Sequence, residues 1–279
     1  MTRGAVLGGG GIAGVAWEAG IVIGLRQAGV DLSSADVIVG TSAGSIVGSH
    51  VAFGTDLQAL AAMTPAPAGA EAAAVPAISL EVILSALAPL FDQGLDPAQA
   101  RRRVGAAARA AGGDEQPYIA RIASLLPATD RWPQRRFLVT GVDTESGEPV
   151  AWHGGSGVRL DRAVAASCAV PAVYPPVTIG GRRYMDGGIR SATNADLAAG
   201  ASAVIVLDAI GYLTPREPLH KELAALGTAA TLVITPDTAA ATVMGTSLLD
   251  AATAAPALEA GLAQAMSCSE PAHTLWSAS

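Results

Sequence analysis

The chain has 279 residues, 51% hydrophobic and 15% charged, with a formal net charge of −7. This composition fits a globular protein with length enough for a sizeable core and excludes a disordered one. The acidic balance argues against a nucleic-acid partner and against electrostatic docking on an anionic membrane, and no run of about 18 strongly apolar residues predicts a membrane-spanning helix. In chain order, a strand at 5–7 empties into Gly8-Gly9-Gly10-Gly11-Ile12-Ala13-Gly14, and a helix follows over 15–25. A second strand, 37–39, ends in Gly40-Thr41-Ser42-Ala43-Gly44 and a helix over 45–52. From 57 to 127 the chain becomes rich in Ala and Pro, which predicts a helical insertion with helices at 80–87, 97–111 and 118–125 and bounding loops near 65–69 and 130–134. Strands return at 137–142, in a hairpin over 177–185 that turns at Gly180-Gly181, and at 204–207 and 232–235. A last helix is expected at 254–266, before a polar tail that frays.

Continuous apolar strands alternating with helices predict an α/β fold: three layers, α/β/α, around a mostly parallel central sheet, in one domain over 1–279. Within the insertion, Leu80, Ile83, Leu84, Leu87, Leu90 and Phe91 recur at helical spacing. That stripe suits packing on the core, and it also suits a lid or an apolar channel for an acyl chain. Met1-Thr2-Arg3 lead straight into the first strand without the apolar segment of a signal peptide, so a cytoplasmic location is the expectation. Cys168 and Cys268 are too few and too distant for a disulfide framework or a zinc site. No His/Asp/Glu cluster has ligand-like spacing, and neither metal nor cofactor is expected. The arginines at 101–103 and at 131, 135 and 136 read as solvated faces.

Three segments carry chemistry. The pentapeptide around Ser42 sets a serine on a sharp strand-to-helix turn, where Gly40 and Gly44 allow a strained backbone and an exposed hydroxyl. The glycine run places bare backbone N–H groups at a helix N-terminus, which suits a phosphate or an oxyanion. Gly9, Gly11 and Gly14 also satisfy G-x-G-x-x-G, but a dinucleotide site needs an acidic residue closing the second strand, and Thr41 and Ser42 stand there instead. In a parallel sheet the two turns open on one edge, so the glycine loop faces Ser42. A base is still required. Of the histidines, His50 falls about two turns along the helix from Ser42 and points away; His153 sits in no motif; His220 or His273 would fit the order Ser…Asp…His, with nothing to single out either. Asp186, before Gly187 and Gly188, reads in isolation as a turn aspartate.

Read together, the glycine loop, the serine elbow, Asp186-Gly187-Gly188 and the segment Ala166-Ser167-Cys168-Ala169-Val170-Pro171 resemble the patatin-like phospholipases. The resemblance implies a serine acyl hydrolase with a Ser–Asp dyad and no histidine. Ser42 would be the nucleophile, Asp186 the base, and the N–H groups of Gly9, Gly10 and Gly11 the oxyanion hole. The substrate would be a lipid or another acyl ester, which leaves room for transient contact with a membrane surface. One departure is Ala13, where the family commonly carries Lys or Arg before the last glycine. The alternative readings are a non-catalytic acyl- or lipid-binding module of the same fold and, third in order, a dinucleotide-binding domain.

Overall fold

The computed structural model describes residues 1–61, 80–129 and 131–277. The elements are β1 (Arg3–Leu7), α1 (Gly11–Gln27), β2 (Val37–Gly40), α2 (Ala43–Phe53), α3 (Gln58–Ala61), α4 (Leu80–Leu87), α5 (Pro97–Ala111), α6 (Glu115–Ala123) and β3 (Arg136–Asp143). They continue with β4 (Pro149–Trp152), α7 (Leu160–Ser167), β5 (Val177–Ile179), β6 (Arg182–Asp186), β7 (Ala203–Leu207), α8 (Glu217–Ala225), β8 (Ala230–Ile234), α9 (Thr238–Met244) and α10 (Ala254–Ser277). Short 3-10 turns at Ala88–Phe91, Gly187–Ile189, Ala195–Ala198 and Ala251–Thr253 join them.

The described strands form one eight-stranded sheet in the order β5-β6-β3-β2-β1-β7-β8, with β4 paired to β3. Strands β3, β2, β1, β7 and β8 run parallel, while β4, β5 and β6 are antiparallel to their neighbours. The central strands read as unbroken apolar runs because both faces are covered. Ala5 and Leu7, Ile38, and Ile205 and Leu207 enter a core shared with α1, α2, α7 and α10. Val6, Val37, Val39, Val204 and Val206 enter a second core under α8 and the Ala195–Ala198 turn. On that second face, Val142, Met185 and Ile189 pack with Val104 and Ala108 of α5. The result is the expected α/β architecture, a mixed and mostly parallel sheet between helical layers.

Three differences from the sequence reading have physical causes. The last helix does not stop near 266 but runs through Pro271 to Ser277, because Ala272 and Trp276 are buried and the Trp276 indole donates to Asp31 O at 3.1 Å and Ser34 Oγ at 3.0 Å. Strand β4, which opens on Pro149, pairs only with β3, and its short, partly buried pattern gives a weak signal. Helices α7, α8 and α9 span eight, nine and seven residues, near the limit at which periodicity can be read. The expected loop near 65–69 and residue 130 lie outside the described residues, as do the side chains of Leu80 and Leu84.

Candidate active site

Strand register decides where the serine and the aspartate meet. Leu7 pairs with Gly40, and Gly40 pairs with Val139 of the longer β3. Two residues on, the β2 chain reaches Ser42 at the level of Gly141, and Gly141 is the partner of Asp186. Although β6 runs antiparallel, it stops at the height where β2 turns. A Cβ on Gly187 would overlap Thr140 Oγ1, so only glycine lets the chain leave β6 this close to β3. The turn after β2 is equally tight: a Cβ on Gly44 would overlap the carbonyl oxygen of Leu7.

Ser42 has φ 50° and ψ −116°, a left-handed conformation that costs an L residue on the order of 1–3 kcal/mol and persists only where the surroundings fix it. Those surroundings are specific. The Ser42 N–H donates to Ser167 Oγ at 2.9 Å, and its carbonyl accepts from Ser45 Oγ at 2.6 Å and Cys168 Sγ at 3.2 Å. The hydroxyl donates to Asp186 Oδ2 at 2.7 Å. The other carboxylate oxygen, Oδ1, accepts the Gly188 N–H at 2.7 Å, and the Asp186 N–H donates to Ala169 O at 3.0 Å. Both side chains are buried, Ser42 at 8% and Asp186 at 5% exposure. Burial pushes the Asp186 carboxyl up to about 7, against the opposing pull of its Ser42 and Gly188 donors. Burial likewise lifts the Cys168 thiol far above its usual range, so it stays protonated and donates to the elbow carbonyl.

The glycine loop lies on the other side of Ser42. Gly9 lines the cleft against Ser42, but its N–H already donates to Ala192 O at 2.8 Å. The N–H groups of Gly10 and Gly11, by contrast, have no partner among the described residues. Gly14 sits one turn into α1, its N–H bonded to Gly10 O at 2.8 Å. Ala13 is wholly buried, and its N–H donates to Leu248 O at 3.1 Å.

The histidines fall elsewhere. His50 is buried, with Nδ1 2.8 Å from Thr55 Oγ1 and Nε2 2.8 Å from Leu125 O, and burial holds it below its usual range, hence neutral. His153, His220 and His273 are exposed, and none of the four lines the cleft. Among the described residues no group of three or more His, Cys, Asp or Glu is arranged to hold a metal ion, and no helix is long and apolar enough to cross a membrane.

Several residues that shape the site were not singled out from sequence. Ser167, visible there only as part of a motif, holds the elbow amide. Asn194, in the left-handed region at φ 53°, donates to Thr41 Oγ1 at 3.0 Å and to Ser191 O at 2.8 Å, while Thr140 Oγ1 donates to the same Thr41 oxygen at 3.0 Å. These bonds tie the end of β2 to the chain leaving β6. Glu18 of α1 is fully buried next to Gly8, and burial raises its carboxyl well above the ordinary value against the pull of the Gly8 backbone. A buried polar residue inside an apolar helix was the available signal for it.

The site opens into a cleft of about 810 Å³ along the carboxyl edge of the parallel strands. One wall is apolar, with Ile83, Leu87, Leu90 and Phe91 facing Val173 and Ile189. Leu87 and Leu90 also pack on the core below, so the two readings of the leucine stripe are not exclusive.

An elbow serine bonded to a buried carboxyl, beside unpartnered glycine amides on a three-layer α/β sheet, defines a class of serine-hydrolase-like α/β proteins. The chain belongs to the patatin-like phospholipase family, whose profile matches residues 5–199. A comparison with curated proteins gives no match. Among solved structures it is similar to VipD from Legionella pneumophila, at 13% identity and a TM-score of 0.47, covering 97% of this chain and 67% of that one. It is also similar to the type III effector protein ExoU, at 15% identity and a TM-score of 0.39, covering 96% of this chain and 53% of that one. A third likeness is full-length ExoU with SpcU from Pseudomonas aeruginosa, at 16% identity and a TM-score of 0.37. The chain thus spans about half the length of ExoU.

Proposed function

We propose that this protein is a serine acyl hydrolase that cleaves carboxylic ester bonds of lipids, in the manner of a phospholipase A or lysophospholipase. The observation that carries the reading is the 2.7 Å bond from the strained Ser42 hydroxyl to buried Asp186. In this reading Asp186 takes the Ser42 proton as Oγ attacks the ester carbonyl carbon, and the oxyanion forms against the Gly10 and Gly11 N–H groups. The C–O bond to the alcohol then breaks, the alcohol leaves with the proton from Asp186, and the acyl group stays on Ser42. Water attacks the acyl-enzyme carbonyl with Asp186 again accepting the proton, the bond to Ser42 Oγ then breaks as Asp186 returns the proton to that oxygen, and the carboxylic acid departs. Residues 57–127 act as an insertion within a single catalytic unit, and Ile83, Leu87, Leu90 and Phe91 receive the acyl chain.

Ser42→Ala and Asp186→Asn should each lower kcat for a p-nitrophenyl ester by at least about 10³-fold while leaving the far-ultraviolet circular dichroism unchanged. Full activity in either variant sinks the dyad. Ala13, in place of the basic residue common in the family, favours a second reading, an acyl-binding module without turnover. A fluorophosphonate probe separates the two, because covalent labelling at Ser42 requires an activated hydroxyl.

A further inference from the structure

The cleft is electrically uneven along the sheet edge. Six charged side chains line it: Asp92, Arg101, Asp186, Arg190, Asp208 and Asp250. Both arginines are engaged. Arg190 is held bidentate by Asp196 at 2.6 and 2.9 Å and by Asn194 Oδ1 at 2.7 Å, and Arg101 Nε donates to Gly147 O at 2.5 Å. On the β7 side of the glycine loop the charged groups are carboxylates alone. Asp208 immediately follows β7, and its neighbour Ala209 fills the space a Cβ on Gly10 would take. Asp250 follows Leu248, whose carbonyl accepts the Ala13 N–H.

Asp208 is the informative one. It is 4% exposed, and its Oδ1 has no hydrogen-bond partner. No ion pair forms on it among the described residues: burial, helped by the Glu222 carboxyl, raises its own carboxyl above the ordinary value, and Arg216 acting through space and the Ile210 N–H only partly oppose this, so a cation bound beside it would favour its ionised form. A buried carboxylate without a counter-ion is costly unless a ligand supplies the missing charge. Ala13 adds no cation where the loop begins its helix. Asp208 and Asp250 therefore put carboxyl groups with no ion-paired cation on the β7 side of the cleft, beside the donors that would meet the ester oxygen.

We propose that this side of the cleft receives the alcohol part of the ester and selects alcohols that carry an ammonium group, with Asp208 and Asp250 as the selecting residues and net-anionic alcohols disfavoured. The proposal rests on the acyl-hydrolase reading for the direction in which the substrate lies. In a partly desolvated cleft a carboxylate a few ångströms from the alcohol's charge discriminates between ammonium and phosphate by about tenfold or more, and added salt weakens the discrimination where the site meets solvent.

The test is binding to Ser42→Ala protein, which holds ligands without turnover. Three dodecanoyl esters are titrated by calorimetry below their micellar concentrations: dodecanoylcholine, monododecanoylglycerol and 1-dodecanoylglycerol 3-phosphate. The expected order is choline ester first and phosphate last, about tenfold or more apart at low salt and closer at 0.5 M salt. Adding Asp208→Asn should narrow the gap, and Asp250→Asn, at an exposed position, should narrow it independently should the first variant fail to fold. Equal affinities, preference for the phosphate, binding by none of the three, or a gap untouched in both variants overturns the proposal. Fluorophosphonate labelling of the unmodified protein is read in parallel: labelling with no charge preference defeats this selection alone, whereas a preserved preference without labelling defeats the hydrolase and leaves the selection standing.

Discussion

At the scale of single residues, Asp186 joins activity and stability through one ionisation. A carboxyl at its ordinary position near pH 4 is a poor base for a hydroxyl, whereas one raised to about 7 by burial is matched to work near neutrality. Because the ionised form is the proposed base, kcat/KM for a neutral ester should rise as pH passes through about 7 and level off above it. A pH–rate profile from 5 to 9 checks this, and a flat profile would remove Asp186 from the role. The sign for stability is opposite. The folded-state value lies above the unfolded one of about 3.9, so the folded protein holds this proton more tightly, and stability is lost as pH climbs from about 4 to about 7. Asp186→Asn abolishes that loss while keeping a group that can bond both the Ser42 hydroxyl and the Gly188 N–H. At pH 8 the variant should be more stable by on the order of 2 kcal/mol, with the gain vanishing towards pH 4, as read by urea unfolding at the two pH values.

At the scale of elements, the two turns of the site depend on close backbone approach rather than on side-chain attraction. Gly44 is the contact point between the start of α2 and the end of β1, where its N–H donates to Gly8 O at 2.8 Å. Gly44→Ala drives a methyl group into the Leu7 carbonyl and should cost about 3 kcal/mol or more, visible as a fall in Tm, since neither β1 nor α2 can move without the other. This distinguishes the features legible in the sequence from those that were not. The five parallel strands could be read because burial on both faces leaves unbroken apolar runs, and the elbow could be read because its glycines stand at fixed offsets from Ser42. Asp186 was recoverable only from the order and spacing of several motifs, since its place beside Ser42 follows from the β2–β3–β6 register, 144 positions apart in the chain. Asn194 and Ser167 act through bonds spanning 153 and 125 residues, and no local pattern encodes such a partner. The Gly9 N–H looked as available as its neighbours because its acceptor, Ala192 O, comes from a segment far along the chain, just past Asp186.

At the scale of the whole molecule, the family match ends at residue 199, yet the described fold does not close without the strands and helices beyond that point. Strand β7 flanks β1 on the side away from β2, and α10 lies along α1, the helix whose N-terminus carries the glycine loop. The contact is close and specific. A Cβ on Gly20 would overlap Leu258 O and one on Gly261 would overlap Trp17 O, while the Trp17 indole donates to Gln264 Oε1 at 2.9 Å. Near its end α10 is pinned through Trp276 to the turn before β2. Removing it would bare Trp17 and Leu25, and would leave the Trp17 indole without its acceptor. A chain ending at residue 250 should therefore lose its cooperative thermal transition, bind a hydrophobic dye and give no fluorophosphonate labelling at Ser42, even though Ser42, Asp186 and both turns remain in it. The milder Gly261→Leu should lower stability by about 3 kcal/mol by forcing the two helices apart. A truncated chain that still melts in one sharp step would show that α1 and its glycine loop are held by the sheet alone.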